Sequence, residues 1–291
     1  MVQITGTTKL LGVIGDPVEH SLSPLMHNRA IASLDVDYVY LALPVKSADL
    51  KNAIAGFEAI GLVGFSITIP HKQTIIPLLS EISTVAQGVG AVNTVYRTDQ
   101  GWIGTNTDIE GFISPLQRYN RDWSQTTVVI LGCGGAARAV VVGCAQLGCT
   151  EIHVLGRNQE KLGQFKESWI NSSLAITIHT HPWEQLPELL AQANLLVNAT
   201  PVGMYPKVEH SPVDELAMAR LPENAIAYDL IYTPNPTQFL RQAKEQGAIA
   251  IDGLEMLVQQ GAAAFKIWLG QTPPVDIMRH ALQEKLGLLK S

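Results

Sequence analysis

The feature that most constrains the fold of this chain is the glycine-rich segment Gly132-Cys-Gly134-Gly-Ala-Ala137. It follows the apolar run Val128–Leu131 and opens the helical pattern Ala136–Leu147, and a second apolar run, Glu151–Leu155, comes next. Strand, glycine turn, helix and strand form a βαβ unit, and the glycine spacing matches the dinucleotide-binding pattern G-x-G-x-x-G/A. A side chain at Gly132 or Gly134 would obstruct the tight turn and the approach of a pyrophosphate, whereas the helix N-terminus offers N–H groups to the phosphates. The segment therefore predicts a Rossmann-type nucleotide-binding domain.

The end of the second strand of this unit carries basic residues where NAD sites usually carry Asp or Glu to hold the ribose hydroxyls. This chain has Arg157 at that position and Lys161 in the next helical turn. Both cations can bind a 2′-phosphate, and the planar guanidinium offers a fork of donors. They favour NADP over NAD, and an exposed loop cation is the alternative interpretation of Arg157.

Apolar runs alternate with helical patterns along the chain, which is typical of α/β folds with a mainly parallel sheet and crossover helices. The predicted strands are Leu10–Ile14, Tyr38–Leu43, Gly64–Ile69, Val92–Tyr96, Gly101–Gly104, Val128–Leu131, Glu151–Leu155, Ala175–His179, Leu195–Asn198, Ala225–Leu230 and Ala248–Ile251. The predicted helices are Ser23–Ser33, with Ser23 as its N-cap, Leu50–Ile60, Ala136–Leu147, Leu254–Leu269 and Val275–Leu286.

A chain of 291 residues is long enough for two domains. The junction is expected near Thr107–Phe112, ahead of the glycine loop. The two C-terminal helices have no strand after them, so they can pack back on the first domain. We therefore predict a discontinuous N-terminal α/β domain of residues 1–107 and 253–291, and a Rossmann-type domain of residues 108–252.

Composition excludes several classes of function. A net charge of -6 without a Lys/Arg-rich run gives no surface for nucleic acid. No apolar run is suited to span a membrane, and the first residues lack the pattern of a signal peptide, so we expect a cytoplasmic protein. The three cysteines, Cys133, Cys144 and Cys149, form no metal-binding spacing and are expected to be small core residues. No metal site is predicted.

Polar segments end several strands of the first domain, where α/β sheets place their ligands. These segments are Ser21-Leu-Ser23-Pro-Leu-Met-His27, Ser66-Ile-Thr68-Ile-Pro70-His71-Lys72, Gly90-Ala-Val-Asn93-Thr94 and Gly104-Thr-Asn106-Thr107-Asp108. Together they supply hydroxyls, an amide, an ammonium and a carboxylate. That set suits a small substrate with several hydroxyl groups and a carboxylate.

With these segments in view, the chain closely resembles the shikimate dehydrogenase family from Gly12 to Gly270. The family's SxS, TxPxK, GAVNT and NTDxxG segments occur in order. After the glycine loop come the further matching segments Asn198-Ala-Thr200-Pro-Val-Gly203-Met204, Tyr228-Asp229-Leu-Ile-Tyr232-Thr-Pro234 and Gly253-Leu-Glu-Met256-Leu-Val-Gln-Gln260-Gly261. The resemblance implies reversible, NADPH-dependent reduction of 3-dehydroshikimate to shikimate, a step of chorismate and aromatic amino acid biosynthesis, by a monomer or homodimer.

The resemblance also implies roles for individual residues. Lys72 and Asp108 are the implied catalytic acid–base pair, and Ser21 and Ser23 are implied to hold the substrate carboxylate. Further implied substrate contacts are Thr68, Asn93, Asp108, Tyr232 and Gln260. The implied cofactor contacts are Gly132, Cys133, Gly134, Gly135 and Ala136 in the phosphate loop, Gly156, Arg157, Asn158 and Lys161 around the 2′-phosphate, and Leu230 and Gly253 at the nicotinamide end.

The chemistry of Lys72 and Asp108 fits these roles. Hydride arrival at a ketone creates alkoxide character, and a positioned Lys can supply the proton. A neighbouring Asp orients the Lys, although Asp108 could instead only cap a helix, and Ser21 and Ser23 could only cap theirs. Tyr232 could be a half-buried core residue and Gln260 a solvated one. His27 and His71 are expected to be structural.

Three positions depart from the commoner family pattern, namely Ser66, Gly156 and Thr84, and each puts one polar contact in doubt. Two other functions also stay open. One is a quinate/shikimate dehydrogenase with relaxed cofactor use. The other is a non-catalytic sensor that binds dinucleotide or shikimate, for which an intact Lys72–Asp108 pair would have no purpose.

Overall fold

A computed structural model describes residues 4–170, 174 and 176–289 of the chain. The chain forms two compact units, which we call unit 1 (residues 1–111 and 257–291) and unit 2 (residues 112–256). Over the described residues the strands are β1 Lys9–Gly15, β2 Tyr38–Pro44, β3 Gly64–Ile67, β4 Glu81–Ile82, β5 Thr94–Thr98, β6 Gly101–Thr105, β7 Thr127–Leu131, β8 Glu151–Gly156, β9 His179–Pro182, β10 Leu195–Asn198, β11 Ile226–Asp229 and β12 Ile249–Ile251. The α-helices are α1 Ser23–Ser33, α2 Leu50–Ala59, α3 Thr84–Val89, α4 Asp108–Leu116, α5 Gly135–Leu147, α6 Gln159–Ile170, α7 Leu186–Leu190, α8 Glu215–Met218, α9 Gln238–Glu245, α10 Leu254–Leu269 and α11 Val275–Lys285.

Unit 1 contains a mixed sheet with the strand order β2-β1-β3-β5-β6-β4. The pairs β1–β2, β1–β3 and β4–β6 are parallel, and β5 is antiparallel to both β3 and β6. The predicted, mainly parallel sheet is confirmed, and β5 and β6 form an antiparallel hairpin. One face packs on a buried cluster that includes Ile14, Phe65, Val95 and Trp102.

The C-terminal helices pack on unit 1, as predicted. α11 lies against α1. From α10, Trp268 donates its indole N–H to the Val95 carbonyl at 2.9 Å. Phe265 and Trp268 also lie beside His27, which stacks on Tyr40 with ring centroids 4.2 Å apart. The long α10 therefore closes the core beneath α1.

Unit 2 contains a parallel sheet with the strand order β12-β11-β10-β7-β8-β9. This order reverses between β7 and β10, the point at which doubly wound sheets bind their nucleotides. One face buries a cluster that includes Leu131, Leu155, Leu196 and Phe239. The predicted Rossmann-type architecture is confirmed.

Several local predictions were wrong. The strand predicted at Ala175–His179 instead runs from His179 to Pro182, and Ala175 lies outside the described residues. This edge strand is mostly polar, and the prediction placed the strand too early because the residues before it are more apolar. The N-cap of α1 is Leu22, and Ser23 is the first helical residue. Cys133 is half-buried rather than in the core, whereas Cys144 and Cys149 are buried.

The helices α3, α4 and α6–α9 were not predicted. Their apolar stripes are short or are interrupted by polar residues, and α4 contains Pro115. Within the described part of the chain, the structure has no helix with the length and apolar character needed to cross a bilayer.

Candidate active site

Unit 1 pairs the two residues predicted to be catalytic. The Lys72 ammonium donates to Oδ2 of Asp108 at 2.5 Å, and the two side chains are only 17% and 7% exposed. Lys72 lies in the turn after β3, and Asp108 is the first residue of α4, shortly after β6. The strand ends thus hold an ion pair at the edge of the sheet, largely shielded from water.

Asn93 joins this pair to a wider network. Its amide nitrogen donates to Oδ1 of Asp108 at 2.8 Å and to Oγ1 of Thr107 at 3.0 Å. Its amide oxygen accepts from the backbone N–H of Thr107 at 2.8 Å and from the Thr94 hydroxyl at 3.1 Å. The two carboxylate oxygens of Asp108 therefore have different partners, Lys72 and Asn93, which fix the plane of the carboxylate.

Asn106 stabilises the start of α4, a role that the sequence analysis did not predict. The Asn106 side chain accepts from the backbone N–H of Asp108 at 3.0 Å and donates to the Ala91 carbonyl at 3.0 Å. The carboxylate of Asp108 is consequently not needed as a helix cap. Its side chain contacts Lys72 and Asn93, which argues against the interpretation of Asp108 as a cap only.

Gln260 reaches the same network from α10. Its amide oxygen lies 3.4 Å from the Asn93 amide nitrogen, and its own amide nitrogen donates to the Leu257 carbonyl at 2.8 Å. Gln260 is buried rather than solvated. The network thus gathers residues from the turn after β3, from the segments flanking β5 and β6, and from α10.

The remaining predicted substrate residues belong to other segments of the chain. Ser23 is buried at the start of α1, and the Ser21 hydroxyl accepts from the backbone N–H of Ser23 at 3.3 Å, so it supports the helix start. The half-buried Thr68 follows β3, and its backbone bonds to Ile14 and His71. Tyr232 is half-buried and lies in unit 2, after β11.

The glycine loop of unit 2 has two kinds of glycine. Gly132 has a φ of +106°, and a Cβ there would lie 3.1 Å from the Ala199 carbonyl oxygen. Gly134 has an extended backbone, and a Cβ there would have no protein atom within 4 Å. Gly134 is also the N-cap of α5 and has no side chain to bond the first-turn N–H groups. The loop therefore leaves open space and backbone donors in front of a helix N-terminus, which fits a pyrophosphate.

Basic residues follow the neighbouring strand end. The exposed Arg157 stacks its guanidinium 4.7 Å from the ring centre of Trp183. Asn158 accepts from the backbone N–H of Lys161 at 2.9 Å and so caps α6. Burial raises the pKa of the Cys133 thiol, and the charge of Lys161 partly offsets this shift.

Gly156 has a packing role. A Cβ there would lie 3.2 Å from Cys133 Sγ and 3.2 Å from Leu162 Cδ1. A side chain at Gly156 would therefore press against Cys133 and Leu162, so glycine fits the packing at this turn. Leu230 and Gly253 also touch, since a Cβ on Gly253 would lie too close to the Leu230 carbonyl.

A second carboxylate, which the sequence analysis did not single out, lies beneath this edge of unit 2. Asp229 is fully buried at the end of β11, and it accepts from Asn198 at 3.0 Å, from the Ile231 backbone N–H at 3.1 Å and from Thr237 at 2.6 Å. Burial raises the pKa of Asp229 to about 7, against the lowering effect of these donors. Asn198 also accepts from the Thr200 hydroxyl, which links Asp229 to the loop beside Gly132.

No group of three or more His, Cys, Asp or Glu side chains within the described ranges could hold a metal ion. The groups positioned for chemistry in unit 1 are an ammonium, a carboxylate and amides. They can bind a polar substrate and move a proton.

Sequence models of known families match most of the chain. A model described as the shikimate dehydrogenase substrate binding domain matches residues 13–95. A model described as shikimate / quinate 5-dehydrogenase matches residues 116–257, and one described as the shikimate 5'-dehydrogenase C-terminal domain matches residues 253–283.

Individual proteins match over nearly the full length. The shikimate dehydrogenase (NADP(+)) of Trichormus variabilis is 65% identical over 288 residues, which cover 98% of this chain and 100% of the relative. The crystal structure of shikimate 5-dehydrogenase from Listeria monocytogenes in complex with shikimate and NAD is 37% identical, with a TM-score of 0.84 over 96% of this chain and 98% of that chain. The enzyme from Thermus thermophilus in complex with NADP(H) and shikimate is 33% identical, with a TM-score of 0.82 over 95% and 99% of the two chains.

Proposed function

The chain belongs to the shikimate dehydrogenase family, and we propose that it reduces 3-dehydroshikimate reversibly to shikimate with NADPH, using Lys72 and Asp108 as its acid–base pair. The reaction contributes to chorismate and aromatic amino acid biosynthesis. The observation that carries the proposal is the shielded Lys72–Asp108 ion pair within a network of amides.

Lys72 is the proton donor in this mechanism. A nicotinamide, once bound, would supply or accept the hydride. As negative charge develops on the carbonyl oxygen of the substrate, Lys72 Nζ donates a proton to it, and in the reverse direction Nζ takes the proton back. The adjacent charge also stabilises the alkoxide character of the transition state.

Asp108 orients Lys72 and keeps the site electrically balanced. One carboxylate oxygen accepts from Lys72 and the other from Asn93, so the carboxylate holds the ammonium in one position. Fixing the donor before the substrate arrives lowers the entropic cost of reaching the reactive geometry. Asn93 and Gln260 add amide groups that suit the hydroxyls of the substrate.

The other substrate contacts rest on the family resemblance. We assign the hydroxyls of Ser21 and Ser23 to the substrate carboxylate, and Thr68 and Tyr232 to further polar contacts. The Ser21 oxygen accepts one backbone hydrogen bond, which leaves its own hydrogen to donate to a carboxylate.

Unit 2 fits NADP. The phosphate loop of Gly132, Cys133, Gly134, Gly135 and Ala136 would hold the pyrophosphate through its backbone. Arg157 and Lys161 would bind the 2′-phosphate, with Gly156 and Asn158 shaping that turn. Leu230 and Gly253 are assigned to the nicotinamide end. We therefore propose a substrate-binding domain of residues 1–107 and 253–291 and an NADP-binding domain of residues 108–252, with Asp108, Tyr232 and Gly253 as the exceptions to this division of contacts.

A steady-state assay of NADP reduction with shikimate tests the activity, and Lys72→Ala tests the mechanism. We expect Lys72→Ala to lower kcat by at least ~100-fold with little change in KM, because a lost proton donor acts mainly in the transition state. An unchanged kcat would exclude Lys72 as the donor.

The choice of cofactor and substrate has its own readouts. The same assay with NAD and with quinate measures the preference directly, and equal efficiency with NAD would contradict the assignment of NADP. Tight NADPH binding without any turnover of 3-dehydroshikimate would instead indicate a sensor. A cytoplasmic location, a monomeric or homodimeric state and the absence of a nucleic acid partner stay predictions.

A further inference from the structure

The register of the sheet in unit 2 places an aromatic residue beside the basic turn. β8 and β9 are parallel, and their last residues, Gly156 and Pro182, are partners. The next residue on each strand, Arg157 and Trp183, therefore emerges at the same edge of the sheet. The guanidinium carbon of Arg157 lies 4.7 Å from the centre of the Trp183 ring, within the range of a cation–π interaction.

The indole is anchored and the guanidinium is not. Trp183 is half-buried and packs against the apolar cluster that contains Leu155 and Leu186. Arg157 is exposed, and its guanidinium makes no hydrogen bond or ion pair with the parts of the chain that the structure describes. The stack on Trp183 is thus the contact that restrains the guanidinium, and its N–H groups stay available to an anion.

Such an arrangement suits the recognition of a phosphate. A flexible arginine loses side-chain entropy when it binds an anion, and holding it beforehand removes part of that cost. Stacking uses the face of the guanidinium and leaves the donors along its edge for a bidentate contact. An acidic partner would do the opposite, because it would occupy those donors.

We propose that Trp183 is a specificity-determining residue, which holds the Arg157 guanidinium in position for the 2′-phosphate and so sets the preference for NADP over NAD. This inference rests on the proposed function, in which Arg157 binds the 2′-phosphate. Trp183 acts through Arg157 and does not itself touch the reacting atoms.

The test compares five full-length proteins, namely the wild type, Trp183→Leu, Trp183→Phe, Arg157→Ala and the double variant Trp183→Leu/Arg157→Ala. Isothermal titration calorimetry gives the Kd of NADPH and of NADH for each, and their ratio is the readout. Leu keeps an apolar side chain on the core but removes the aromatic face, whereas Phe keeps a ring. Thermal melting of each variant without nucleotide checks that unit 2 stays folded.

We expect Arg157→Ala to weaken NADPH binding by at least ~10-fold and NADH binding much less, as for the loss of a charged phosphate contact. Trp183→Leu should lower the NADPH preference about two- to five-fold, the range of an exposed cation–π contact. Trp183→Phe should retain most of the preference. In the Arg157→Ala background, Trp183→Leu should change the ratio no further, because the residue it positions is gone.

The roles of Arg157 and Trp183 can be contradicted separately. If Arg157→Ala leaves the NADPH preference unchanged, the 2′-phosphate assignment is wrong and the role of Trp183 falls with it. If Arg157→Ala removes the preference but Trp183→Leu does not, or weakens NADPH and NADH equally, Trp183 is only a packing residue. If Trp183→Leu does not fold, Trp183→Met, which also removes the aromatic face, takes its place with the same expected result and the same overturning result.

Discussion

Unit 1 builds its site from side chains that already bond to one another, whereas unit 2 builds its site from backbone and open space. In unit 1, Lys72, Asp108, Asn93 and Gln260 form a connected network. In unit 2, the position that a Cβ of Gly134 would take has no protein neighbour within 4 Å. A substitution in the first site removes a chemical group, whereas a larger residue in the second site fills space that the ligand would occupy.

The buried ionisable groups behind the two sites differ as well. Unit 1 pairs Asp108 with a cation and buries the neutral His27 among aromatic rings. Unit 2 buries Asp229 among neutral donors, and the nearby charge of Asp252 adds to the effect of burial in raising its pKa. The two units should therefore respond in opposite directions to pH.

The largest expected effect comes from filling the open space of unit 2. Gly134→Val should weaken NADPH binding by at least ~100-fold, about 2.7 kcal/mol, because the side chain would occupy the place of the pyrophosphate. The melting temperature should stay near the wild-type value, because the backbone at Gly134 is extended and a Cβ there would have no protein atom within 4 Å. Calorimetry of NADPH binding and thermal melting measure the two quantities.

Gly132→Val is the matched control for this prediction. Gly132 has a positive φ and lies close to Ala199, so a side chain there should lower the melting temperature. A lowered melting temperature of Gly134→Val, or an unchanged Kd for NADPH, would contradict the proposal that the pyrophosphate occupies the open space at Gly134.

Asp108→Asn removes a charge from the network of unit 1 while keeping its shape. We expect kcat to fall about 30- to 100-fold, because Lys72 loses the charge that orients it. NADPH binding, measured by calorimetry, should stay near the wild-type value, since Asp108 lies in the other unit. A normal kcat would mean that Asn93 alone suffices to organise the site.

The glycine loop was predictable because its signal is local. A strand, two glycines and a helix start are adjacent in sequence, and their geometry follows from backbone sterics. The network of unit 1 was not local in this sense. Polar residues at strand ends indicated a site, but the contact between Asn93 and Gln260 joins positions far apart, and only the family resemblance named Gln260.

Two residues were missed for physical reasons. The contact of Trp183 with Arg157 was not predicted, because β9 was placed several residues too early and its register with β8 was therefore unknown. Asp229 was quoted only as part of a motif, because nothing in a sequence reveals that a carboxylate is buried without a cation. The available signal for Trp183 was its place in the sequence, since it is an aromatic residue two positions after His181 of the edge strand β9.

Unit 1 should lose stability in acid through His27. Burial lowers the pKa of His27 to about 3, from 6.5, so the unfolded chain binds a proton more readily than the folded one. As pH falls from 6.5 towards 3, the contribution of His27 should lower the free energy of unfolding by roughly 1 kcal/mol per pH unit. Between pH 4 and pH 6, the free energy of urea unfolding should therefore change with pH about 1 kcal/mol per unit more steeply in the wild type than in His27→Gln.

His280→Gln provides the control for His27, because His280 is an exposed histidine of the same unit. Its slope with pH should match that of the wild type. An equal slope in His27→Gln would show that His27 takes up its proton without opposing the fold.

Unit 2 should lose stability as pH rises, because of Asp229. Near neutral pH, we expect this change to be smaller than the effects of Gly134→Val, Asp108→Asn and His27. The folded carboxyl keeps its proton up to about pH 7, whereas the unfolded one releases it above 3.8, so stability falls as pH rises between these values. Between pH 4 and 6.5 this loss opposes the gain from His27, so global unfolding of the wild type reports only the sum of the two contributions. Hydrogen exchange separates them, because α9 follows Thr237, a partner of Asp229, whereas α1 carries His27. From pH 5.5 to 7, protection in α9 should fall by about 1 kcal/mol in the wild type and stay level in Asp229→Asn. Equal pH dependence of α9 in both proteins would mean that Asp229 is ionised throughout and that its three donors outweigh its burial.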